Sequence, residues 1–269
     1  MNKVHKIFFS PTGTTKNICV KAAASLASLL DLETAEYDFT SLSARKRFPE
    51  ISAGDLVVFA VPTYAGRVPN VLLKYLDTVE GNGAKTLGMV SFGNRNFDSS
   101  LLELCDILNS RGFNVIAAAA ISCQHAFSQT LGKGRPDCED MTQIEDFTVK
   151  VAKKLSQGKA LPPEVPGIAH TYGGYYKPQD RNGAFIDIRK VTPKVSSLCT
   201  DCGRCASLCP MGSISSENIH RMTGICIKCN ACVKHCPSSA RFFDDSGYLY
   251  HKEELEEMYS RRADNSFFL

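Results

Sequence analysis

Eight cysteines fall in two copies of one spacing, and they constrain this chain more than any other feature. The first copy reads Cys199-x2-Cys202-x2-Cys205-x3-Cys209, followed by Pro210. The second reads Cys226-x2-Cys229-x2-Cys232-x3-Cys236, followed by Pro237. Three thiolates two residues apart can wrap one iron–sulfur core on a tight loop. The fourth, carried away by its proline, ligates the core of the other copy. The spacing therefore predicts two 4Fe–4S clusters, one held by Cys199, Cys202, Cys205 and Cys236, the other by Cys226, Cys229, Cys232 and Cys209. Paired C-x-x-C motifs also hold zinc, but a four-ligand zinc site has no use for a third in-step cysteine and a Cys-Pro in both copies.

With 269 residues the chain has room for one substantial core and a small satellite. No apolar run approaches the length of a membrane span. The apolar patch in residues 1–10 is cut off by Pro11 and Gly13 too early for a secretory signal. Eight of the twelve cysteines sit in the cluster pattern, so a reducing, cytoplasmic setting is expected rather than a disulfide framework. The formal charge of +3 counts thiols as neutral. Two clusters with their thiolates, each about −2, bring it to roughly −1, which gives no electrostatic case for nucleic acid.

Residues 1–160 alternate between apolar runs and helical periodicity. Strands are expected over 4–10, 33–39, 55–61, 85–92 and 114–122. Helices are expected after residue 15 (Ile18, Ala22, Leu26, Leu30), over 70–78, over 99–111 and over 143–157. This is the pattern of an α/β fold with a five-stranded doubly wound parallel sheet, whose ligands bind beyond the carboxyl ends of the strands. Three loops stand at such ends. Ser10-Pro-Thr-Gly-Thr-Thr15 offers hydroxyls, amides and a helix start to a phosphate, without the Gly-Lys-Ser/Thr of a nucleoside-triphosphate loop. Pro62-Thr63-Tyr64-Ala65-Gly66-Arg67-Val68-Pro69 and Ser91-Phe92-Gly93-Asn94-Arg95-Asn96-Phe97-Asp98 bring aromatics to stack on a flat ring, and glycines where amides can approach its polar edge. Together the three loops point to flavin mononucleotide (FMN).

These motifs, taken with the eight cysteines, resemble the flavodoxin–ferredoxin fusions: a flavodoxin-like domain followed by a bacterial-type ferredoxin domain with two 4Fe–4S clusters. The resemblance spans nearly the whole chain apart from the linker and the last thirty or so residues. It implies that Ser10, Thr12, Gly13, Thr14 and Thr15 hold the flavin phosphate. It also implies that Tyr64 and Phe97 flank the ring, with Gly66, Gly93 and Asn94 near its edge. Flavodoxins often set a tryptophan against the ring; this chain has none, and Tyr64 takes that place.

The expected units are 1–160 (flavodoxin-like), 161–194 (a proline-rich linker or strap carrying Tyr172, Tyr175 and Tyr176), 195–245 (the cluster domain) and 246–269 (a tail with a charged helix over 251–262). Cys19 and Cys105 read as packing residues. Cys123 and His125 are weighed as a reactive pair, with nothing in sequence to orient the histidine. Arg204, Lys228 and Lys234, beside cluster ligands, are candidates for tuning the clusters or for docking an acidic partner. The expected function is electron transfer between the clusters, FMN and redox partner proteins, with homo-oligomerisation possible. The alternative is a flavin-dependent reductase of a quinone, nitro compound or oxygen. No Gly-x-Gly-x-x-Gly dinucleotide motif appears.

Overall fold

The computed structural model describes residues 2–158 and 161–269. Lys159 and Ala160, where the first expected boundary falls, lie outside them. Strands β1 (Lys3–Phe8), β2 (Glu33–Asp38), β3 (Leu56–Pro62), β4 (Lys85–Phe92) and β5 (Asn114–Ser122) pair in parallel in the order β2-β1-β3-β4-β5. That order is the flavodoxin-like one, with its switch point between β1 and β3. Helices α1 (Thr14–Leu30), α2 (Asn70–Leu76), α3 (Ser100–Ser110) and α4 (Cys138–Ser156) cover both faces.

Period-two alternation feeds two separate cores. Along β3, Val57, Phe59 and Val61 face the layer built by Leu72 and Leu76 of α2 and Leu101, Leu104 and Leu108 of α3. Leu56, Val58 and Ala60 face Ile18, Ala22 and Leu26 of α1 and Ile144, Phe147 and Val151 of α4. All seven residues of β3 are buried, as a central parallel strand requires. Helix α4 starts five residues earlier than its periodicity indicated. Asp137 accepts from the amides of Glu139 and Asp140, and Asp140 closes a reciprocal capping box.

The second half of the chain is short-ranged: β6 (Lys194–Val195), α5 (Arg204–Ser207), α6 (Ala231–Lys234) and β7 (Arg241–Phe242), with β6 and β7 antiparallel. Helix α7 (Ser246–Met258) begins at Asp245, whose carboxylate accepts from the Tyr248 amide. It therefore starts and stops before the span expected from sequence. The tail then returns to the sheet, where β8 (Ser266–Phe268) adds a sixth, antiparallel strand beside β5. Sequence reading gave no strand there.

The strap is fastened to the loops at the carboxyl edge. The Tyr176 amide donates to the Ala65 carbonyl at 2.8 Å, and the Tyr175 hydroxyl donates to the Val68 carbonyl at 2.9 Å. The Arg67 guanidinium lies under the rings of Tyr172 and Tyr175 at 4.8 and 4.9 Å. Buried Glu103 of α3 fixes that guanidinium with two hydrogen bonds (2.7 and 2.6 Å) and accepts the Val68 amide at 2.8 Å. Replacing Glu103 with alanine strands a largely buried cation and an amide, and is expected to cost about 3 kcal/mol, the low end for a broken buried pair. Chemical denaturation of both chains checks it. A loss below about 1 kcal/mol would make the pair a surface-like contact.

Candidate functional site

The two cysteine motifs fold as copies of each other. Left-handed φ recurs at Asp201 and Lys228, at Gly203 and Asn230, and at Gly212 and Ser239, so each turn of the first motif reappears in the second. The Ser213 amide donates to Cys209 Sγ at 3.3 Å, and its counterpart, the Ala240 amide, donates to Cys236 Sγ at 3.2 Å. Helices α5 and α6 carry the third cysteine of each run, Cys205 and Cys232.

This repetition opens two cavities, and the thiols divide between them in a crossed way. Cys199, Cys202, Cys205 and Cys236 line one cavity. Cys226, Cys229, Cys232 and Cys209 line the other. Each fourth cysteine thus meets the three of the opposite motif, and four thiols facing one cavity suit a 4Fe–4S core. The surroundings differ. Met211, Ile214, Met222, Ile227 and Phe243 wall the cavity of the second motif. There burial pushes the Cys229 and Cys232 thiols up to about 12 and raises Cys226 as well. Arg204, Ser238 and Arg241 border the cavity of the first motif. Burial also works against ionisation of Cys236. The Ser238 hydroxyl and the amides of Arg241, Ala240 and Ser238 outweigh it and hold that thiol below its ordinary value.

The phosphate-type loop lies between β1 and α1. Gly13 takes φ +90, and a methyl built on it would meet nothing within 4 Å. The Ser10 hydroxyl accepts the Lys16 amide at 2.9 Å. Among the described residues no acceptor meets the amides of Thr12, Thr14 and Thr15. Helix α1 has no acidic residue in its first turn and no side-chain cap. Free amides at the positive end of a 17-residue helix, with half-exposed hydroxyls at Thr12 and Thr14, make a cradle that fits a phosphate. The Thr15 hydroxyl is already paired, at 2.7 Å, with that of Ser91.

The other expected flavin residues are not all free to meet a ring. Thr63 shares a 2.7 Å hydrogen bond with Ser100, and Pro62 ends the buried β3. Phe92 and Phe97 pack on each other at 5.7 Å and against the core. Gly66 and Gly93 are required by neighbours: an added methyl would lie 2.4 Å from Asp98 Oδ2 and 2.3 Å from His125 Cδ2. The Asn94 side chain is fully engaged within the protein. It is 1% exposed, its amide group donates to the carbonyls of Tyr259 and Arg261 at 2.7 and 2.6 Å, and its oxygen accepts from Ser122 and Ala263. Its work is to pin the tail to the sheet. Tyr64 and Ala65 remain at the loop tip.

The cluster region docks directly over these loops. Tyr64 sits close enough to Cys229 and Cys226 that their thiolates, after burial, add to the rise in its hydroxyl pKa. Ile227, between two cluster cysteines, packs on the sheet's core, and Arg45 donates to the Pro210 carbonyl. Lys234 is no docking residue either. It donates to the carbonyls of His125 and Ser128 at 2.9 and 3.1 Å, and burial lowers its pKa to about 8. Lys228 is spent on the carbonyls of Arg189 and Cys226. Burial raises the Cys123 thiol and drops His125 to about 3, while His125 Nδ1 accepts the Phe127 amide, so no activated pair forms. Arg241, which lines the cavity of the first motif, carried no expectation from sequence. Its signal was the alternation of residues 241–243, five residues after the last cluster cysteine.

Residues 198–241 match the family described as a 4Fe-4S dicluster domain. The chain is similar in structure to oxidised flavodoxin 2 from Bacillus cereus, at 18% identity over 56% of this chain and 99% of that one, with a TM-score of 0.44. It is also similar to a short-chain flavodoxin associated with a non-canonical PDU bacterial microcompartment (19%, 56% and 99%, TM-score 0.41). A third likeness is to the rubredoxin oxygen:oxidoreductase of Desulfovibrio gigas (16%, 60% of this chain but 38% of that one, TM-score 0.42). No curated protein sequence matches the chain. No helix among the described residues is long and apolar enough to cross a membrane. The dicluster domain gives this chain a redox, electron-transfer role.

Proposed function

We propose that this chain, a flavodoxin-like domain joined to a 4Fe–4S dicluster domain, is an electron relay holding two 4Fe–4S clusters and one FMN and serving redox partner proteins. The assigned units are 1–160, 161–194, 195–245 and 246–269, the last shared between α7 and the strand β8 that rejoins the sheet. When bound, the clusters exchange single electrons and the flavin one or two.

The observation that carries the reading is the position of Tyr64. Ile227, between Cys226 and Cys229 in the chain, packs on the core of the sheet, and those thiols are near enough to Tyr64 to act on its hydroxyl. This supports a ring site and a nearer cluster facing each other within one chain. The chain's own residues keep them so. The strap holds Ala65, Arg67 and Val68, Lys234 staples α6 to the β5 loop, and Asn94 and β8 anchor the tail. The cluster region is thereby tied down on both sides, and the spacing is preorganised rather than left to domain diffusion. Thr12, Thr14, Thr15 and Gly13 would receive the phosphate, and Ser10 orders their loop through Lys16.

The reading is tested by the content of the chain purified without oxygen. About eight irons, about eight acid-labile sulfides and about one FMN per chain are expected from two clusters and one flavin. Full iron without FMN would end the relay reading and leave the dicluster domain standing beside a sheet of other use. Rapid bleaching of the flavin by NAD(P)H alone would favour the reductase reading.

A further inference from the structure

One strand addresses both cluster cavities, and it does so with opposite chemistry. In β7 and the residue after it, alternation turns Arg241 and Phe243 inward and leaves Phe242 outward. Phe243 lines the cavity of Cys209, Cys226, Cys229 and Cys232. Arg241 lines the cavity of Cys199, Cys202, Cys205 and Cys236. Its side chain is 3% exposed, and among the described residues no carboxylate pairs with it. One nitrogen, Nη2, donates to Cys205 Sγ at 3.4 Å and to the Ile219 carbonyl. The other two, Nε and Nη1, have no partner. A buried guanidinium with no counter-ion and two idle donors is costly unless something anionic and hydrogen-bond accepting fills the cavity it faces. Four thiolates around an iron–sulfur core are such a group, and their sulfurs accept N–H donors.

We propose that Arg241 makes the two clusters unequal, by donating its free N–H groups to the cluster of Cys199, Cys202, Cys205 and Cys236 and so placing that cluster at the higher reduction potential. The inference rests on the dicluster reading above. Reduction adds one electron to a core that is already negative with its thiolates. A fixed cation and N–H donors at the sulfurs favour the reduced form. The second cluster is walled by Phe243, Ile214 and Ile227, which solvate an added charge poorly. The Lys228 amide donates to Cys226 Sγ at 3.4 Å, but its ammonium is turned to the carbonyls of Arg189 and Cys226. This second cluster is also the one on the sheet's side, since Ile227 packs on the sheet's core. The polarity follows: the flavin-side cluster is the lower-potential one, and the outer cluster, whose Cys202 is exposed, is the higher. An electron on the inner cluster runs downhill to the outer one, where a partner protein meets it.

The test is an anaerobic potentiometric titration of the holoprotein, followed by electron paramagnetic resonance, with iron counted in every sample. The wild-type chain is expected to show two waves. Arg241→Gln is expected to lower the upper wave by at least a tenfold change in its reduction equilibrium, 59 mV for a one-electron couple, and to move the lower wave less. Arg241→Lys, a cation without the fork, recovers part of that shift. Equal movement of both waves, or none, overturns the proposal. Should Arg241→Gln fail to hold eight irons, Cys209→Ala decides. That chain keeps only the outer cluster and should titrate at the upper wild-type potential; titration at the lower one overturns the assignment. A wild-type chain without iron would sink the dicluster reading itself, a distinct result.

Discussion

Replacing Cys209 with alanine is expected to remove the cluster of the second motif and spare that of the first, although Cys209 belongs to the first motif in sequence. Iron should fall from about eight to about four per chain, and the losses should not add in the way the primary structure suggests. Cys209 shares its cavity with Cys226, Cys229 and Cys232, whereas its sequence neighbour Cys205 faces the other cavity with Cys236. Combining Cys209→Ala with Cys226→Ala should therefore cost no more iron than either change alone. Combining Cys209→Ala with Cys199→Ala should empty the chain. Iron counting on the single and double variants settles the matter. Complete loss in the Cys209/Cys226 pair, with half retained in the Cys209/Cys199 pair, would show ligation that follows the sequence.

The crossed division of the thiols between two cavities was legible because it is local chemistry written twice. Thiolate spacing and a Cys-Pro need no knowledge of the rest of the fold. The central strands β3, β4 and β5 were legible for a similar reason, since each is an apolar run long enough to stand out from its helical neighbours. The edge strand β2, Glu33–Asp38, is polar and signalled itself only by its place in the alternation. What escaped depends on partners distant in sequence. Strand β8 is three residues long, and its pairing partner β5 lies more than a hundred residues earlier, so no window carries its signal. The anchoring task of the Asn94 side chain was invisible, because its loop at the strand end suggests only a ring-edge residue. Only the tail's carbonyls at Tyr259 and Arg261 reveal its use. Gly66 and Gly93 were read as letting amides approach a ring edge, and the structure adds a packing reason for both, since Asp98 and His125 stand where a Cβ would go. The early start of α4 rests on an Asp–Asp capping box, a less familiar form than Ser/Thr with Glu. Lys228 and Lys234 read as candidates for tuning the clusters or docking an acidic partner, yet their ammonium groups are consumed by the carbonyls of Arg189, His125 and Ser128. Arg241 was the opposite case. A charged residue on a two-residue strand does not announce that it is buried, and burial gives it meaning.

Thr14→Asp separates the phosphate cradle from the fold that builds it. Thr14 is the first residue of α1, which has no acidic side chain in its first turn. An aspartate there complements the helix dipole and contributes about 0.3–1 kcal/mol of helix stability, so the sheet and the dicluster domain should be unharmed. The same carboxylate would stand among the free amides of Thr12, Thr14 and Thr15, in the place proposed for a flavin phosphate. Two like charges 4 Å apart near a protein surface repel by about 4 kcal/mol, roughly a thousandfold in affinity. The variant is therefore expected to be isolated with its iron complete, its thermal stability equal or slightly higher, and no bound FMN. Thr14→Val, which removes the hydroxyl but keeps the backbone amide, should weaken FMN by only about tenfold, the worth of one hydrogen bond. Flavin binding followed by fluorescence quenching on both variants reads the difference. A Thr14→Asp chain that still holds one FMN would move the phosphate away from this helix. Loss of iron alongside flavin would mean that the cradle and the dicluster domain cannot be separated, contrary to the placement of Thr14 on the β1 side of the sheet's switch point and of the cysteines beyond the Tyr64 loop.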